Sequence, residues 1–254
     1  MSKKKSTSTR RAESQAASAR AAEIRAAQER KERRRNTLVV TGVGVAVLAI
    51  VLVLFTIANG RRDTTTAAGS APSGAIGYAV PAGPSSAPVK VTVYEDFLCP
   101  FCGQFEQASS KALEDDIAAG KVQIRYHVLT FLDRSTSTEY SSRAANALAV
   151  VLDQAGPDVA KKFHDLLFTH QPAENSAGLS DGQLLDYAVE AGATKADVQG
   201  GIADRTFEQW VKNVGDRASK DKVNQTPTVF VDGMKLSGSM DSLVAQVEKA
   251  VADG

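Results

Sequence analysis

The longest apolar run of the chain, Leu38 to Ala58, has 21 residues and no charge. As a helix it would be about 31 Å long, which matches the hydrocarbon thickness of a bilayer. Basic residues border the run on both sides, as they do beside many membrane spans. The pattern predicts a transmembrane helix over residues 38–58, with a buried soluble helix or a cleaved signal peptide as the alternatives.

Regular alternation of apolar residues begins further along the chain. Residues 89–97 place valines on one face and predict a strand. A helix is predicted to begin at Pro100, because proline suits a first helical turn, and to end at Gly120. Residues 122–128 predict a second strand. Cysteines fall at the junction of the first strand and this helix.

The apolar period becomes helical from about residue 135 to residue 222. A break is predicted at Gly156-Pro157, and the spacing from Ser180 to Gln183 is typical of a capping box. Thr194 and Thr206 are candidate N-caps. Residues 228–236 then predict a hairpin, and a helix over about residues 240–252 ends the chain.

This order of elements predicts an α/β domain, residues 87–254, with a helical insertion at about residues 135–222. Residues 59–86 are rich in Thr, Ala, Gly, Ser and Pro, and they predict a flexible linker with a short edge strand at about residues 76–80. The predicted organisation is therefore a basic tail, 1–37, a transmembrane helix, a linker and this domain.

The charge of the chain is unevenly distributed. Residues 1–36 carry 12 Lys and Arg against 4 Glu, whereas residues 64–254 carry 16 Lys and Arg against 24 Asp and Glu. The basic side of a membrane helix stays in the cytoplasm, so we expect the tail inside and the domain outside the cell membrane. An acidic domain also argues against nucleic acid as the main partner. The predicted transmembrane helix makes the lipid bilayer one of the expected partners.

Cys99 and Cys102 are the only cysteines of the chain, which excludes a scaffold of several disulfides and a four-cysteine zinc site. They lie three residues apart at the predicted start of a helix, where unpaired N–H groups and the helix dipole favour a thiolate. The spacing predicts a redox pair that needs no cofactor and no metal. A structural disulfide, half of a shared zinc site and an inert thiol pair are the alternatives.

Two strings give this pair a wider context: Tyr94-Glu95-Asp96-Phe97-Leu98-Cys99-Pro100-Phe101-Cys102 with Phe105-Glu106, and Thr226-Pro227-Thr228-Val229-Phe230-Val231-Asp232-Gly233 far downstream. Together they resemble the DsbA-type, thioredoxin-fold thiol:disulfide oxidoreductases over about residues 76–254. The resemblance implies a thioredoxin-like fold in which the helical block is an insertion.

The resemblance also implies roles for four residues. Cys99 is expected to be the exposed nucleophile and Cys102 the buried partner. Pro227 is expected to follow a cis peptide bond and to face the cysteines, and Thr226 is expected to offer backbone hydrogen bonds to a bound peptide. A proline that opens a strand donates no ladder hydrogen bond, which suits a substrate site.

Four residues around the pair modify this expectation. Pro100 and Phe101 separate the cysteines, where the best-known oxidases of the family carry Pro-His; Phe101 offers no donor, so we expect a milder oxidant. Thr226 before the proline also occurs in isomerases and reductases, which leaves the direction of electron flow open. Glu95 is either a buried proton acceptor for Cys102 or an exposed carboxylate at the strand end.

The sequence therefore predicts a membrane-tethered, extracytoplasmic enzyme that introduces disulfides into exported proteins with free cysteines. The resemblance implies a quinone-linked membrane protein that reoxidises the pair. The alternatives are a reductase or isomerase kept reduced by a membrane donor, and a peptide-binding or chaperone module without redox activity. His127, His164 and His170 are predicted to be ordinary core or surface residues.

Overall fold

A computed structural model of the chain describes residues 69–254. The predicted tail, the predicted transmembrane helix over residues 38–58 and the first part of the predicted linker lie outside the described residues. Within residues 69–254, no helix has the length and apolar character needed to cross a bilayer.

Five strands form one mixed sheet with the order β1-β3-β2-β4-β5. The neighbours β2 and β3 are parallel, and the other neighbouring pairs are antiparallel. The strands are β1 Val80–Ala82, β2 Val89–Glu95, β3 Val122–Val128, β4 Thr228–Val231 and β5 Met234–Lys235.

Seven α-helices accompany the sheet in the described part of the chain, five of them between β3 and β4. They are α1 Pro100–Ala118, α2 Tyr140–Ala155, α3 Pro157–Thr169, α4 Asp181–Ala191, α5 Lys195–Ala203, α6 Glu208–Lys220 and α7 Met240–Asp253, and a 3₁₀ helix at Phe131–Ser135 precedes α2. The predicted mixed α/β fold with a helical insertion is therefore confirmed.

The two faces of the sheet have different environments. On one face Val93 lies beside Tyr126, its partner in the parallel register, and both are buried. Glu95 is two residues beyond Val93 and therefore shares this face. Helix α1 packs against β3 on one side and against α7 on the other. On the opposite face Tyr94 stacks on His127 with ring centroids 4.5 Å apart.

The predicted helix starts are correct at Ser180 and at Thr194, whose side chain makes no cap bond, and wrong at Thr206. Ser180 forms the capping box with Gln183: its hydroxyl accepts from the Gln183 N–H, and its own N–H donates to Gln183 Oε1. Helix α6 instead begins at Glu208, with Phe207 as its N-cap residue and no side-chain cap. The N–H of Phe207 donates to Oδ1 of Asn146, 61 residues away, at 2.8 Å.

The packed domain begins earlier than residue 87, because β1 lies inside the predicted linker. Its three residues are buried and pair with β3. Trp210 Nε1 also donates to the carbonyl oxygen of Gly77 at 3.3 Å. A few buried residues and backbone bonds suffice to hold this segment, although its composition is that of a linker.

Candidate functional site

The two cysteines lie where β2 passes into α1. Cys99 is the N-cap residue of α1, with an extended backbone, and Pro100 occupies the first helical turn. The carbonyl oxygen of Cys99 accepts from the N–H of Cys102 at 3.0 Å. Both cysteines are free thiols, and both are buried: Cys99, which was expected to be exposed, is only 5% exposed, and Cys102 is not exposed at all. Access to the pair is therefore through Cys99.

The pKa of the Cys99 thiol is lowered to about 6. A hydrogen bond from the Cys102 thiol is the largest cause, and burial acts against it. The side chain of Thr226 and the N–H groups of Cys102 and Phe101 add further bonds to the sulfur. With this pKa about nine-tenths of Cys99 is ionised at pH 7.

Cys102 has the opposite properties. Burial raises the pKa of its thiol well above the usual range, and the neighbouring Cys99 and the charge of Glu95 act in the same direction. The pair thus consists of one nucleophilic thiolate and one protonated, buried thiol. Pro100 and Phe101 lie on the surface between them, and 60% of Phe101 is exposed.

The second string of the sequence faces the first across the site. The Thr226–Pro227 peptide bond is cis, as the resemblance implied. The sulfur of Cys99 lies 3.5 Å from the carbonyl oxygen of Thr226. Pro227 directly precedes β4, and both residues are partly exposed. Residues 127 positions apart therefore form one surface around Cys99.

Replacing Thr226 by valine should raise the pKa of Cys99 by about one unit, because valine keeps the shape but removes a hydroxyl that stabilises the thiolate. Thiolate absorbance at 240 nm, followed across pH, measures this value. Thr194→Val is the matched control, since Thr194 is exposed at the start of α5. An unchanged titration in Thr226→Val would show that the hydroxyl does not act on the sulfur.

Asp96 organises the turn before the cysteines, a role that we did not predict. Its carboxylate accepts from the N–H of Leu98 at 2.9 Å, the N–H of Leu132 at 3.0 Å and the hydroxyl of Ser141 at 2.6 Å. Burial raises the pKa of Asp96 to about 6, against the effect of these three bonds. One side chain therefore connects the site to the 3₁₀ helix and to α2.

Gln171, which follows α3, is a second contact between the insertion and the site. Its amide Nε2 donates to the carbonyl oxygens of Phe97, at 3.1 Å, and Cys99, at 2.9 Å. A Cβ atom on Gly103 would lie 2.2 Å from Gln171 Oε1. Glycine at residue 103 thus leaves the room that Gln171 needs to hold the cysteine turn.

Glu95 is fully buried, so of the two predicted environments the buried one is correct. Its Oε1 lies 2.7 Å from Nε2 of His164, and Nδ1 of His164 lies 3.2 Å from Oδ1 of Asp165. Burial alone would lower the pKa of His164, but the facing carboxylates outweigh it and raise the pKa. His164 is therefore an imidazolium in an ion pair, and not an ordinary core residue.

Glu106 of α1 completes this buried charge cluster, which we define as Glu95, Glu106 and His164. One oxygen of each carboxylate and one ring nitrogen lie within 4.8 Å of one another. Such a set has the atoms for a metal ion, but the ring nitrogen is already bonded to Glu95, so we interpret the set as a charge cluster. Glu95 Oε2 and Glu106 Oε1 have no hydrogen-bond partner among the described residues.

Sequence reasoning did not predict this cluster. Glu95 and His164 are 69 residues apart, and nothing local connects them. One signal was present: His164 lies on the buried stripe of α3 with Ala160, Phe163 and Leu167. An ionisable side chain on an apolar stripe requires a buried partner.

Comparisons with known proteins agree with this geometry. Fold and site together define a thioredoxin-fold thiol:disulfide oxidoreductase. Residues 77–251 match the family model described as thioredoxin, and the chain belongs to that family. The solved structure of the disulfide bond oxidoreductase DsbG of Mycobacterium tuberculosis is 32% identical, with a TM-score of 0.60, over 71% of this chain and 90% of that one.

The chain is also similar to other proteins of this kind and to a larger protein. DsbA of Mycobacterium tuberculosis is 31% identical, with a TM-score of 0.59, over 70% of this chain and 94% of that one. A probable disulfide bond formation protein D of Bacillus anthracis is 26% identical over 84% of this chain and 96% of its own length. The chain spans only 30% of the length of the kinase PknE relatives, which it matches at 28% identity.

Proposed function

We propose that this chain is a membrane-anchored enzyme that forms disulfides in exported proteins outside the cytoplasm. The observation that carries the proposal is the difference between the two cysteines: Cys99 has a lowered pKa and keeps 5% exposure, whereas Cys102 is fully buried and protonated. A reduced form that is stabilised as a thiolate makes the disulfide form a better oxidant. The names of the DsbA, DsbG and disulfide bond formation relatives support the same activity.

The reaction begins with the oxidised pair. A substrate thiolate attacks Cys99, the bond between Cys99 and Cys102 breaks, and Cys102 leaves as a thiolate. A second substrate thiolate then attacks the substrate sulfur of the mixed disulfide, and Cys99 leaves. Its low pKa makes Cys99 a good leaving group in this second step. The substrate has lost two electrons and the enzyme is reduced.

Thr226, Pro227 and Glu95 have supporting roles in this proposal. Thr226 and Pro227 border Cys99 and bind the extended backbone of the substrate. Glu95 exchanges the proton of Cys102, since it is buried and its charge acts on that thiol. Phe101, which is exposed beside Cys99, adds an apolar surface for the substrate.

The anchor and the reoxidising partner of the proposal depend on the sequence. The apolar run of residues 38–58 and the basic tail before it would place the catalytic domain on the outer side of the membrane. There a quinone-linked membrane protein would reoxidise the pair. Labelling of an added C-terminal tag in intact cells tests the orientation, and a tag that is protected until the cells are lysed would contradict it.

The redox state of the pair in cells tests the direction of electron flow. Rapid acid quenching followed by thiol alkylation should find Cys99 and Cys102 mostly as a disulfide if the enzyme is an oxidase. A mostly reduced pair would favour the reductase or isomerase alternative, which Thr226 before the cis-proline leaves open. Full activity after both cysteines are changed to alanine would favour a chaperone module.

A further inference from the structure

A cleft of about 560 Å³ opens on the face of the sheet that carries Tyr94 and His127. A volume of this size is typical of small-molecule sites, which span about 300–1,000 Å³. Arg125, Thr92 and Phe230 stand directly opposite one another on β3, β2 and β4. Register partners share a face, as do residues two apart in a strand, so this row lies beside Tyr94 and His127. The floor of the cleft is therefore built from three paired strands.

Two segments from distant parts of the chain border the cleft. Ile76 and Tyr78 come before β1, and Arg217 and Asp221 come from the C-terminal end of α6. Together with Phe230 in the floor, Ile76 and Tyr78 give the cleft an apolar part. A flat ring fits such a surface, because aromatic rings attract one another in stacked and edge-to-face arrangements.

The charges of the cleft do not cancel. The carboxylate of Asp221 is occupied: its Oδ2 accepts from Arg217 Nε at 2.7 Å and from the hydroxyl of Tyr94 at 2.6 Å. Arg125 is half-buried, and its Nε donates to Oε1 of Gln123 at 3.2 Å. It forms no ion pair with a carboxylate of residues 69–254. One positive charge in the cleft is therefore left without a counter-ion from this part of the chain.

His127 adds no charge to the cleft at neutral pH. Burial lowers the pKa of its ring to about 4, so the ring is neutral. Its Nδ1 is buried and has no hydrogen-bond partner among the described residues. A buried polar atom of this kind requires a partner, which a bound ligand or a water molecule held beside it would supply. The uncompensated charge is therefore that of an arginine and persists at every physiological pH.

We propose that this cleft is a binding site for a small molecule that carries a carboxylate and an aromatic ring. The planar guanidinium group of Arg125 binds the carboxylate through two parallel N–H bonds, and the ring lies against Phe230 and Tyr78. A carboxylate is favoured over a phosphate, because its single negative charge matches the single unpaired cation. This inference goes beyond the redox activity, since neither cysteine lines the cleft.

The photoreactive compound 4-benzoylbenzoate is the probe for this site, since it has a carboxylate and two rings. When it is irradiated, its ketone adds a neighbouring C–H bond and becomes a tertiary alcohol attached to the protein. Purified full-length protein is irradiated with the probe and digested, and mass spectrometry locates the attached mass. We expect attachment at Ile76, Tyr78 or Phe230. An excess of 4-benzylbenzoate, which has a similar shape but no ketone, should prevent it.

Replacing Arg125 by glutamine should lower this attachment by about 10- to 100-fold at a probe concentration below saturation, because the charge-assisted bonds to the carboxylate are lost. Arg134→Gln is the matched control, since Arg134 is an exposed residue of the 3₁₀ helix and does not line the cleft. Its labelling should equal that of the wild type. The uncharged amide of the probe should label the wild type as weakly as the acid labels Arg125→Gln.

A second variant, Tyr78→Ala, keeps the test decisive if Arg125→Gln does not fold, because it removes a ring from the border of the cleft and should also weaken labelling. Equal labelling of the wild type and of the folded variants would overturn the proposed site. So would attachment that 4-benzylbenzoate does not prevent, since it would show contact without a site. Either result would leave the proposed oxidase intact, because its test depends on Cys99 and not on this cleft.

Discussion

Replacing Cys99 by serine should lower the rate of substrate oxidation by at least about 10³-fold. Serine has nearly the same shape, but its hydroxyl cannot form the disulfide that transfers the two electrons. Residual turnover through Cys102 alone is not expected, since Cys102 is fully buried and its pKa is raised. Purified full-length protein, oxidised beforehand and mixed with a reduced, unfolded substrate, gives the rate by alkylation of the remaining substrate thiols.

Cys102→Ser should give a different result from Cys99→Ser, and the difference is the control. In Cys102→Ser, Cys99 is first converted to a mixed disulfide with glutathione by glutathione disulfide. A substrate thiolate then attacks the Cys99 sulfur and glutathione leaves as a thiolate; since no second thiol of the protein can break the new bond, covalent complexes with substrate should accumulate. Cys102→Ala, which has no donor at this position, should also raise the Cys99 pKa, because the largest stabilising hydrogen bond comes from Cys102. Unimpaired oxidation by Cys99→Ser, or trapping through residue 102 in that variant, would contradict the assignment of Cys99 as the nucleophile.

Much of the fold could be predicted because its signals are local. The valines of β2 alternate with a period of two, and the observed strand Val89–Glu95 ends two residues before the predicted end. Strand β3 has the predicted bounds, Val122–Val128. Gly156 and Pro157 separate α2 from α3, since proline begins a helix well and cannot continue one.

The elements that sequence reasoning misplaced involve distant partners. A short edge strand was predicted at about residues 76–80, but β1 is Val80–Ala82, where it pairs with β3. Helix α6 begins at Glu208, and the N–H of the preceding Phe207 donates to Asn146. Local composition contains no information about either partner, so the linker was predicted to extend too far and Thr206 was assigned a cap that it does not form.

The candidate site likewise contains residues that short local motifs predicted and residues that only distant contacts bring there. The cysteines and the Thr226–Pro227 pair are short strings whose chemistry could be stated from residue types. The contacts that support them come from the insertion: Gln171 holds the carbonyl of Cys99, and His164 holds Glu95. Helical periodicity predicted the helices that carry these residues, but it did not predict which side chain of a helix reaches the site.

These contacts assign the insertion a function beyond covering the sheet. Helix α3 supplies His164, which is bonded to the buried carboxylate of Glu95. Gln171, two residues after the last residue of α3, donates to the carbonyl oxygen of Phe97 in the turn before the cysteines. The turn that carries Cys99 and the carboxylate of Glu95, whose charge raises the pKa of Cys102, are therefore both bound by residues in or next to one helix. A change that shifts α3 should alter the redox pair without touching either sulfur.

Asp96→Ala should be the most destabilising single change near the site, with a loss of about 3–5 kcal/mol in the free energy of unfolding. The variant removes three hydrogen bonds to a buried carboxylate and leaves the N–H groups of Leu98 and Leu132 without their acceptor. Each unsatisfied buried donor costs about 1–3 kcal/mol. Urea unfolding of the oxidised full-length proteins, followed by tryptophan fluorescence, measures the difference.

The size of the loss in the free energy of unfolding shows whether Asp96 acts through all three of its hydrogen bonds or through only one. Asp96→Asn keeps one acceptor oxygen and should lose clearly less than Asp96→Ala, whereas Asp186→Ala, on the exposed side of α4, should change stability by less than about 0.5 kcal/mol. Asp96→Ala should also raise the pKa of Cys99, because the turn that presents N–H groups to the sulfur loses its anchor to Ser141 and α2. A stable Asp96→Ala with a normal thiolate titration would mean that the turn holds its geometry through Gln171 and the backbone alone.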